Sequence, residues 1–226
     1  MSLLILIGLF IGYPHLTALD QGVMTLVQEH RGPTLDEIAV TFTLIGEFHN
    51  MLLFSALLTG LLLLCRQWRQ ALFAGGTLLC TALANTATKN FFARVRPEVL
   101  TDPLTTYSMP SGHASGAFAL FLTLGVLAGR GQPPRMRLTW LLLACLPALS
   151  IALSRVYLGA HWPTDVLAGA MLAACVCAAS LWLNQRQTPL NAMPFKVWWL
   201  ILPALLALFS FFALRHLPPA MLRYAY

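Results

Sequence analysis

Long apolar stretches are the feature that most constrains how this chain of 226 residues can fold. A helix needs about 20 predominantly apolar residues to cross the hydrocarbon core of a bilayer. Seven stretches approach that length: Leu3–Leu19, Phe42–Cys65, Ala71–Phe92, His113–Gly129, Leu138–Ser154, Thr164–Asn184 and Val197–Leu214. The sequence therefore predicts an all-α, polytopic transmembrane bundle that forms one domain over residues 1–226.

The composition agrees with a membrane protein and excludes several soluble classes. Hydrophobic residues make up 58% of the chain and charged residues only 10%, against about 25% charged residues in soluble domains. A soluble enzyme, a disordered protein and a nucleic-acid binder are therefore excluded, although the net charge is +6. Membrane lipids are the expected partners, and we infer no nucleic acid and no obligate protein partner. The five cysteines are interpreted as packing residues because all lie in apolar stretches: Cys65, Cys80, Cys145, Cys175 and Cys177.

The first apolar stretch is the least regular of the seven. Gly12, Pro14 and His15 interrupt Leu3–Leu19, and the stretch lacks both a basic leading region and a small-residue cleavage site. We therefore interpret it as a retained span and not as a removed signal peptide. The segment that follows, Leu19–Ile38, is polar but has apolar residues at Val23, Leu26 and Val27, and that spacing predicts a short interfacial helix within it.

Basic residues predict the orientation of the bundle. The loops after the second, fourth and sixth stretches contain no acid, and they hold or adjoin Arg66, Arg69, Arg130, Arg135, Arg137, Arg186 and Lys196. By the positive-inside rule these loops are cytoplasmic. The loops after the third and fifth stretches then face outward, which in a bacterial inner membrane means the periplasm. With seven spans, the N-terminus is inside and the C-terminus is outside.

The first chemically informative motif lies at the end of the third stretch. Lys89 and Arg96 are seven residues apart, which on a helix places them on nearly the same face, about 10 Å apart along the axis. Lys89 follows a run of small residues, and an ionisable residue at such a depth normally faces a polar cavity. Arg94 is interpreted instead as a side chain that snorkels toward lipid headgroups.

The second motif opens the fourth stretch. Ser111, Gly112 and His113 precede a long apolar run, so backbone N–H groups at the positive end of a helix dipole point outward there. Such a helix start binds anions. Ordinary N-capping by Ser111 is the alternative.

The third motif consists of Arg155, His161 and Asp165. Four residues separate His161 from Asp165, so one helical turn can bring the carboxylate to the imidazole. A carboxylate on one ring nitrogen leaves the other with a lone pair, as a nucleophilic histidine requires. A pair that only anchors a helix is the alternative. Combined with the cations of the other motifs, the pair favours a substrate with several anionic oxygens, such as phosphate.

The three motifs together resemble the signatures of the type 2 phosphatidic acid phosphatase (PAP2) superfamily. The matching patterns are Lys-x6-Arg-Pro, Pro-Ser-Gly-His and Ser-Arg-x5-His-x3-Asp, and every position is filled in order between residues 89 and 165. That superfamily includes bacterial lipid phosphatases, undecaprenyl pyrophosphate phosphatases, glucose-6-phosphatase and vanadium haloperoxidases. The resemblance implies a core of six helices, to which this chain adds one further span, and a reaction without metal or other cofactor.

The resemblance also implies a role for each signature residue. His161 would attack phosphorus to form a phosphohistidine, Asp165 would orient His161, and His113 would protonate the leaving oxygen. The phosphoryl oxygens would be held by Lys89, Arg96, Ser111, Gly112 and Arg155. Because one histidine must be neutral and the other protonated, we expect a bell-shaped dependence of rate on pH.

A site at the outer membrane interface favours a lipid phosphate as substrate, and undecaprenyl pyrophosphate is our first choice. Phosphatidylglycerol phosphate, phosphatidic acid and a lipid A phosphate are alternatives, as is transfer of the phosphoryl group to an acceptor lipid. A lipid transporter or flippase is the competing class. A soluble vanadate-binding haloperoxidase does not fit the composition. Glu47 and His49 either line a headgroup pocket or make a polar contact between helices.

Overall fold

A computed structural model of the chain describes residues 7–8, 12–100 and 105–223. In these residues all regular secondary structure is helical. A short 3-10 helix covers Tyr13–Leu16 and precedes eight α-helices: α1 Thr17–Glu29, α2 Pro33–Ile45, α3 Phe48–Leu64, α4 Trp68–Phe92, α5 Gly112–Gly129, α6 Pro134–Tyr157, α7 Pro163–Asn184 and α8 Phe195–Arg223.

Five of these helices are long and apolar enough to cross a membrane, namely α4, α5, α6, α7 and the Phe195–Leu214 part of α8. The pair α2 and α3 passes the same test together, with a bend of 52°, which brings the number of spans to six. The predicted multi-pass helical bundle is confirmed. The last five predicted stretches end within four residues of these helical segments. The cysteines are free thiols within or next to these helices.

The N-terminal region differs from the prediction. Of the predicted first span, Leu3–Leu19, residues 3–6 and 9–11 lie outside the described residues, and its last part forms the 3-10 helix and the first turn of α1. A short helix at Val23, Leu26 and Val27 is present as α1, which ends at Glu29, and a second helix, α2, begins at Pro33. Gly32 is extended, with φ of −165°, since a residue that precedes proline is disfavoured in the helical conformation. The start of the predicted second span lies in helix α2 and the rest of it in α3, so this span is bent.

Helix α5 is the centre of the bundle. It packs against α3, α4, α6 and α7, and 61% of its apolar segment is buried, compared with 22% in each of α6 and α8. A β-carbon at Gly125 would lie 3.0 Å from the carbonyl oxygen of Trp140, so α5 and α6 approach as closely as a glycine allows. The outer helices expose leucines such as Leu72 and Leu206, as expected for a surface that faces lipid.

The loops separate into two ends of the bundle. Loops 65–67, 130–133 and 185–194 form one end, which we call the arginine end. Arg69 donates to three carbonyl oxygens around the α7–α8 loop, and Gly131 lies against Ala192. Residues 93–100, 105–111 and 158–162 form the opposite end, the motif end, where Trp162 Nε1 donates to Val95 O at 3.0 Å. The acid-free loops and the motifs therefore lie at opposite ends, as the alternating topology predicts.

Candidate anion-binding site

His161 lies in the sharp connection between α6 and α7. The chain reverses at Gly159, whose φ of +70° favours glycine. The backbone N–H groups of Ala160 and His161 both donate to Arg155 O, at 3.0 and 3.2 Å. This turn buries His161 to 1% exposure, and it fixes the position of the ring relative to Arg155, the last basic residue of α6.

The contacts of the His161 ring define its tautomer. Nε2 lies 3.0 Å from Arg96 Nη1, and a guanidinium can only donate, so Nε2 is the acceptor and carries the lone pair. The proton is then on Nδ1, which lies 3.5 Å from Asp165 Oδ2. Burial and the positive charges of Arg96, Arg155 and Lys89 hold the pKa of His161 well below its ordinary value. His161 is therefore neutral near pH 7, with its basic nitrogen directed at a cationic region.

Three cations surround this ring. Arg96 is fixed by the carbonyl oxygens of Ala160 and Thr106, each at 2.6 Å. Arg155 is only 2% exposed, and its Nη1 donates to Thr43 Oγ1 on α2. Lys89 is half-buried on the last turn of α4, within electrostatic range of both arginines. The structure thus brings the three predicted cations to one place.

The N-terminus of α5 faces the same place. Ser111 caps the helix, accepting from Ala114 N–H at 3.4 Å, and its own N–H donates to Asp165 O at 2.9 Å. His113, two residues further on, is within electrostatic range of His161 and of all three cations. Its Nε2 is buried and has no hydrogen-bond partner among the described residues. Ser111 is fully buried and Gly112 half-buried. Both predicted histidines and the predicted helix start therefore lie close together at the motif end.

Asp165 makes its closest contacts with groups other than His161. Its Oδ2 accepts from the Ser108 hydroxyl and, at 2.9 Å, from the Trp162 backbone N–H. Its Oδ1 accepts from Arg94 Nη1 at 2.7 Å. The carboxylate thus closes the first turn of α7 and faces the His161 ring.

The interpretation of Arg94 as a snorkelling residue is wrong. Its side chain is only 8% exposed and forms ion pairs with Asp20 at 2.6 Å and with Asp165 at 2.7 Å. The physical reason is local, because α4 ends at Phe92 and Ala93 takes the left-handed conformation, with φ of 45°. The chain therefore turns at the end of the helix, and Arg94 points into the protein.

Several residues at the site lie outside the three sequence motifs and were not predicted. Gly46, at the bend between α2 and α3, would place a β-carbon 2.9 Å from His113 Cδ2. Gly169 would place one 2.6 Å from Ser111 O, so it lets α7 pack directly against the helix start. Gly169 follows Asp165 by four residues, on the same helix face, and this spacing is the signal that would have found it.

Glu47 and His49, the two residues that the sequence left open, lie near the start of α3. Glu47 is half-buried at the N-cap position, and its carbonyl oxygen accepts from Met51 N–H at 2.8 Å. His49 is exposed and packs edge-on against Phe48, with ring centroids 5.9 Å apart. Their part in a headgroup pocket stays a prediction.

A neutral histidine lone pair, one buried and two half-buried cations and a helix start lie together at the ends of membrane-spanning helices, an arrangement suited to binding an anion. The PAP2 superfamily model matches residues 52–189, which is more than half of the chain. The chain belongs to the PAP2 superfamily.

Curated relatives match parts of the chain. An undecaprenyl-diphosphatase of Sulfolobus acidocaldarius is 39% identical over 95 residues, which cover 40% of each chain. A decaprenylphosphoryl-5-phosphoribose phosphatase of Mycobacterium tuberculosis is 35% identical over 54% of this chain and 65% of its own length. Phosphatidylglycerophosphatase B of Bacillus subtilis is 33% identical over 38% of this chain and 44% of its own. The matches therefore cover less than two thirds of each of these relatives.

Solved structures match more of the fold. A transmembrane PAP2-type phosphatidylglycerolphosphate phosphatase from Bacillus subtilis superposes with a TM-score of 0.72. The superposition covers 83% of this chain and 96% of that one, at 22% identity. Aquifex aeolicus LpxE superposes with a TM-score of 0.58 at 25% identity, over 72% and 94% of the two chains. The bundle therefore has the fold of a membrane PAP2 protein.

Proposed function

We propose that this protein is a metal-independent membrane phosphatase that hydrolyses a lipid (pyro)phosphate through a phosphohistidine on His161. One observation carries the proposal: His161 Nε2 accepts from Arg96 and therefore has its lone pair on the side of the cations, while Nδ1 faces Asp165. A neutral imidazole held in this way is a nucleophile, and its carboxylate partner stabilises the positive charge that develops during attack.

The reaction proceeds in two displacements. His161 Nε2 attacks phosphorus, the bond to the leaving oxygen breaks, and His113 donates a proton to that oxygen. Water then attacks the phosphohistidine, gives its proton to His113 and releases phosphate, which restores both histidines. Lys89, Arg96 and Arg155 hold the phosphoryl oxygens together with Ser111 and the Gly112 N–H. These cations supply the charge that metal ions supply in other phosphoryl-transfer enzymes.

Undecaprenyl pyrophosphate is the proposed substrate, hydrolysed to undecaprenyl phosphate. A site at the ends of the spans suits a lipid whose headgroup lies at the interface while its tail remains in the bilayer. Two of the relatives are named for polyprenyl substrates, and the third for a glycerophospholipid. Phosphatidylglycerol phosphate, phosphatidic acid, a lipid A phosphate and transfer to an acceptor lipid are the other outcomes of the test.

The proposed location is the bacterial inner membrane, with the motif end at the periplasmic face. The support is the arginine end, where the acid-free basic loops meet on the opposite side of the bundle. Labelling of a single introduced cysteine at Thr106 or at Gln187 by an impermeant reagent tests this orientation in intact cells.

Phosphate release from a panel of lipid phosphates tests the function. The purified protein, in detergent with a chelator present, is compared with His161→Ala and His113→Ala. We expect hydrolysis by the wild type, no detectable turnover in His161→Ala, and a loss of about 100-fold or more in His113→Ala. Full activity in His161→Ala would contradict the nucleophile. Lipid translocation without phosphate release would favour a flippase.

A further inference from the structure

Asp20 lies in α1, outside the three motifs and outside the matched residues 52–189. Its side chain is completely buried. Carboxylates are almost never fully buried unless they are paired, and both oxygens of Asp20 have partners at the motif end. Oδ1 accepts from the Thr164 backbone N–H at 3.0 Å, and Oδ2 from the Thr164 hydroxyl at 2.6 Å. The N-terminal helix is thereby attached to the first turn of α7.

Arg94 connects Asp20 to the proposed catalytic residues. Its Nη2 is 2.6 Å from Asp20 Oδ2 and its Nη1 is 2.7 Å from Asp165 Oδ1. The other oxygen of Asp165 faces His161 Nδ1 at 3.5 Å. The groups form a continuous chain of charges from α1 to the imidazole that carries the lone pair.

The balance of charge explains why two carboxylates are needed. Arg94 between Asp20 and Asp165 leaves this trio with one net negative charge, next to His161. If Asp20 were neutral, Arg94 would be paired with Asp165 alone, and the trio would have no net charge. The positive charge that develops on His161 during attack would then lack a counter-charge in a buried site, where electrostatic effects are large.

From this geometry we infer that Asp20 is a positioning residue for phosphoryl transfer, acting through Arg94 on Asp165 and hence on His161. The inference rests on the proposed function. Asp20 is not placed against the phosphate-binding cations, so it affects the chemical step and not the binding of substrate. The helix outside the family match thus completes the charge arrangement of the site.

The test compares Asp20→Asn with Asp36→Asn in the full-length protein. Asparagine retains the shape and an acceptor for Thr164 N–H but removes the charge. Asp36 is a matched control, because it is also N-terminal and forms an ion pair, with Arg31 at 3.1 Å. Steady-state phosphate release from undecaprenyl pyrophosphate, or from the best lipid of the panel, gives kcat and KM. We expect Asp20→Asn to lower kcat about 10- to 100-fold, as for outer partners that orient a histidine, with KM within about twofold. Asp36→Asn should match the wild type.

A double-mutant cycle separates positioning from a general structural effect. In an Asp165→Asn background the route from Asp20 to His161 is already broken, so adding Asp20→Asn should change kcat less than about twofold. If the double variant instead lost kcat by the product of the two single-variant factors, the inference would be overturned. A wild-type kcat in Asp20→Asn would overturn it as well. If Asp20→Asn does not yield folded protein, Thr164→Val keeps both carboxylates but removes the hydroxyl that donates to Asp20 and accepts from Arg94; it should lower kcat about threefold to tenfold with KM unchanged. An unchanged kcat in that variant would also overturn the inference.

The result is distinguishable from a failure of the proposed function. If the wild type releases phosphate and His161→Ala does not, the function stands, and the behaviour of Asp20→Asn decides the inference alone. If His161→Ala remains active, the proposed mechanism fails whatever Asp20→Asn does.

Discussion

Arginines lie at both ends of the helical bundle, but their partners differ. At the arginine end, Arg69 donates to the carbonyl oxygens of Asn184, Thr188 and Pro189. The Asn184 carbonyl is at the C-terminal end of α7, where a cation compensates the negative end of the helix dipole, and the other two carbonyls belong to the loop that follows. Arg137 donates to another loop carbonyl, that of Gln132, at 2.7 Å. Such contacts stabilise the ends of helices, and the arginines that make them remain partly or fully exposed.

At the motif end the arginines are directed at chemically reactive groups. Arg94 lies between two carboxylates, Arg96 contacts the ring of His161, and Arg155 is buried against Thr43. A buried cation is costly unless charges or hydrogen bonds compensate it. Arg155 is buried and Arg96 is half-buried beside His161, so this end of the bundle is suited to an anion that supplies negative charge. The same residue type stabilises helix ends at one end of the bundle and lies beside the two histidines at the other.

The largest difference between the ends should appear when arginine is replaced by lysine. Arg155→Lys preserves the charge but not the planar fork that holds two oxygens at once. We expect kcat/KM for lipid phosphate hydrolysis to fall about 100- to 1,000-fold, comparable to the loss of an oxyanion donor. Arg69→Lys, at the other end, should remain within about twofold of the wild type. Equal losses in both variants would show that the two ends do not differ in function.

Close packing distinguishes the motif end as well, and Gly169 offers the next largest effect. A β-carbon there would lie 2.6 Å from Ser111 O and 3.1 Å from Ser115 N, so alanine must push α7 away from the start of α5. We expect Gly169→Ala to lower kcat/KM about 10- to 100-fold by moving the phosphate-binding N–H groups, and to destabilise the fold by about 1–3 kcal/mol. Gly60→Ala is the control, because nothing lies within 4 Å of its β-carbon position. Phosphate release and thermal unfolding in detergent measure both effects, and an active, stable Gly169→Ala would contradict the close approach.

Much of the fold was predictable because a bilayer imposes a length and a polarity on each span. The five later spans were located to within four residues for that reason. The bend at Gly46 could not be predicted, because an apolar stretch has the same composition whether the helix continues through it or breaks. The 2.9 Å approach of its β-carbon position to His113 arises from tertiary packing, which a single sequence does not display.

The convergence of the signature residues was predictable from the alternation of loops between the two sides, which placed all three motifs on one face. The roles of Asp20 and Arg94 were not predicted, because the local sequence around each residue has a simpler explanation. Arg94 at the end of a span is typical of a snorkelling residue, and Asp20 in a polar segment is typical of a solvated one. Their pairing spans 74 positions and exists only because the turn at Ala93 and the packing of α1 against α7 bring them together.

The pH dependence of hydrolysis gives the smallest effect but compares the two ends most directly. The pKa of His161 is held below its ordinary value by burial and by Arg96, Arg155 and Lys89, so the acid limb of kcat/KM should lie below the usual histidine range. Arg96→Gln removes one positive charge, the protonated imidazole becomes less unfavourable, and the acid limb should move to higher pH. Arg137→Gln, which removes a charge at the arginine end, should leave the limb in place. All variants are assayed with the same lipid, so protonation of the substrate affects every pH profile equally and does not contribute to the difference between variants. A limb that does not move in Arg96→Gln would mean that it does not report the protonation of His161.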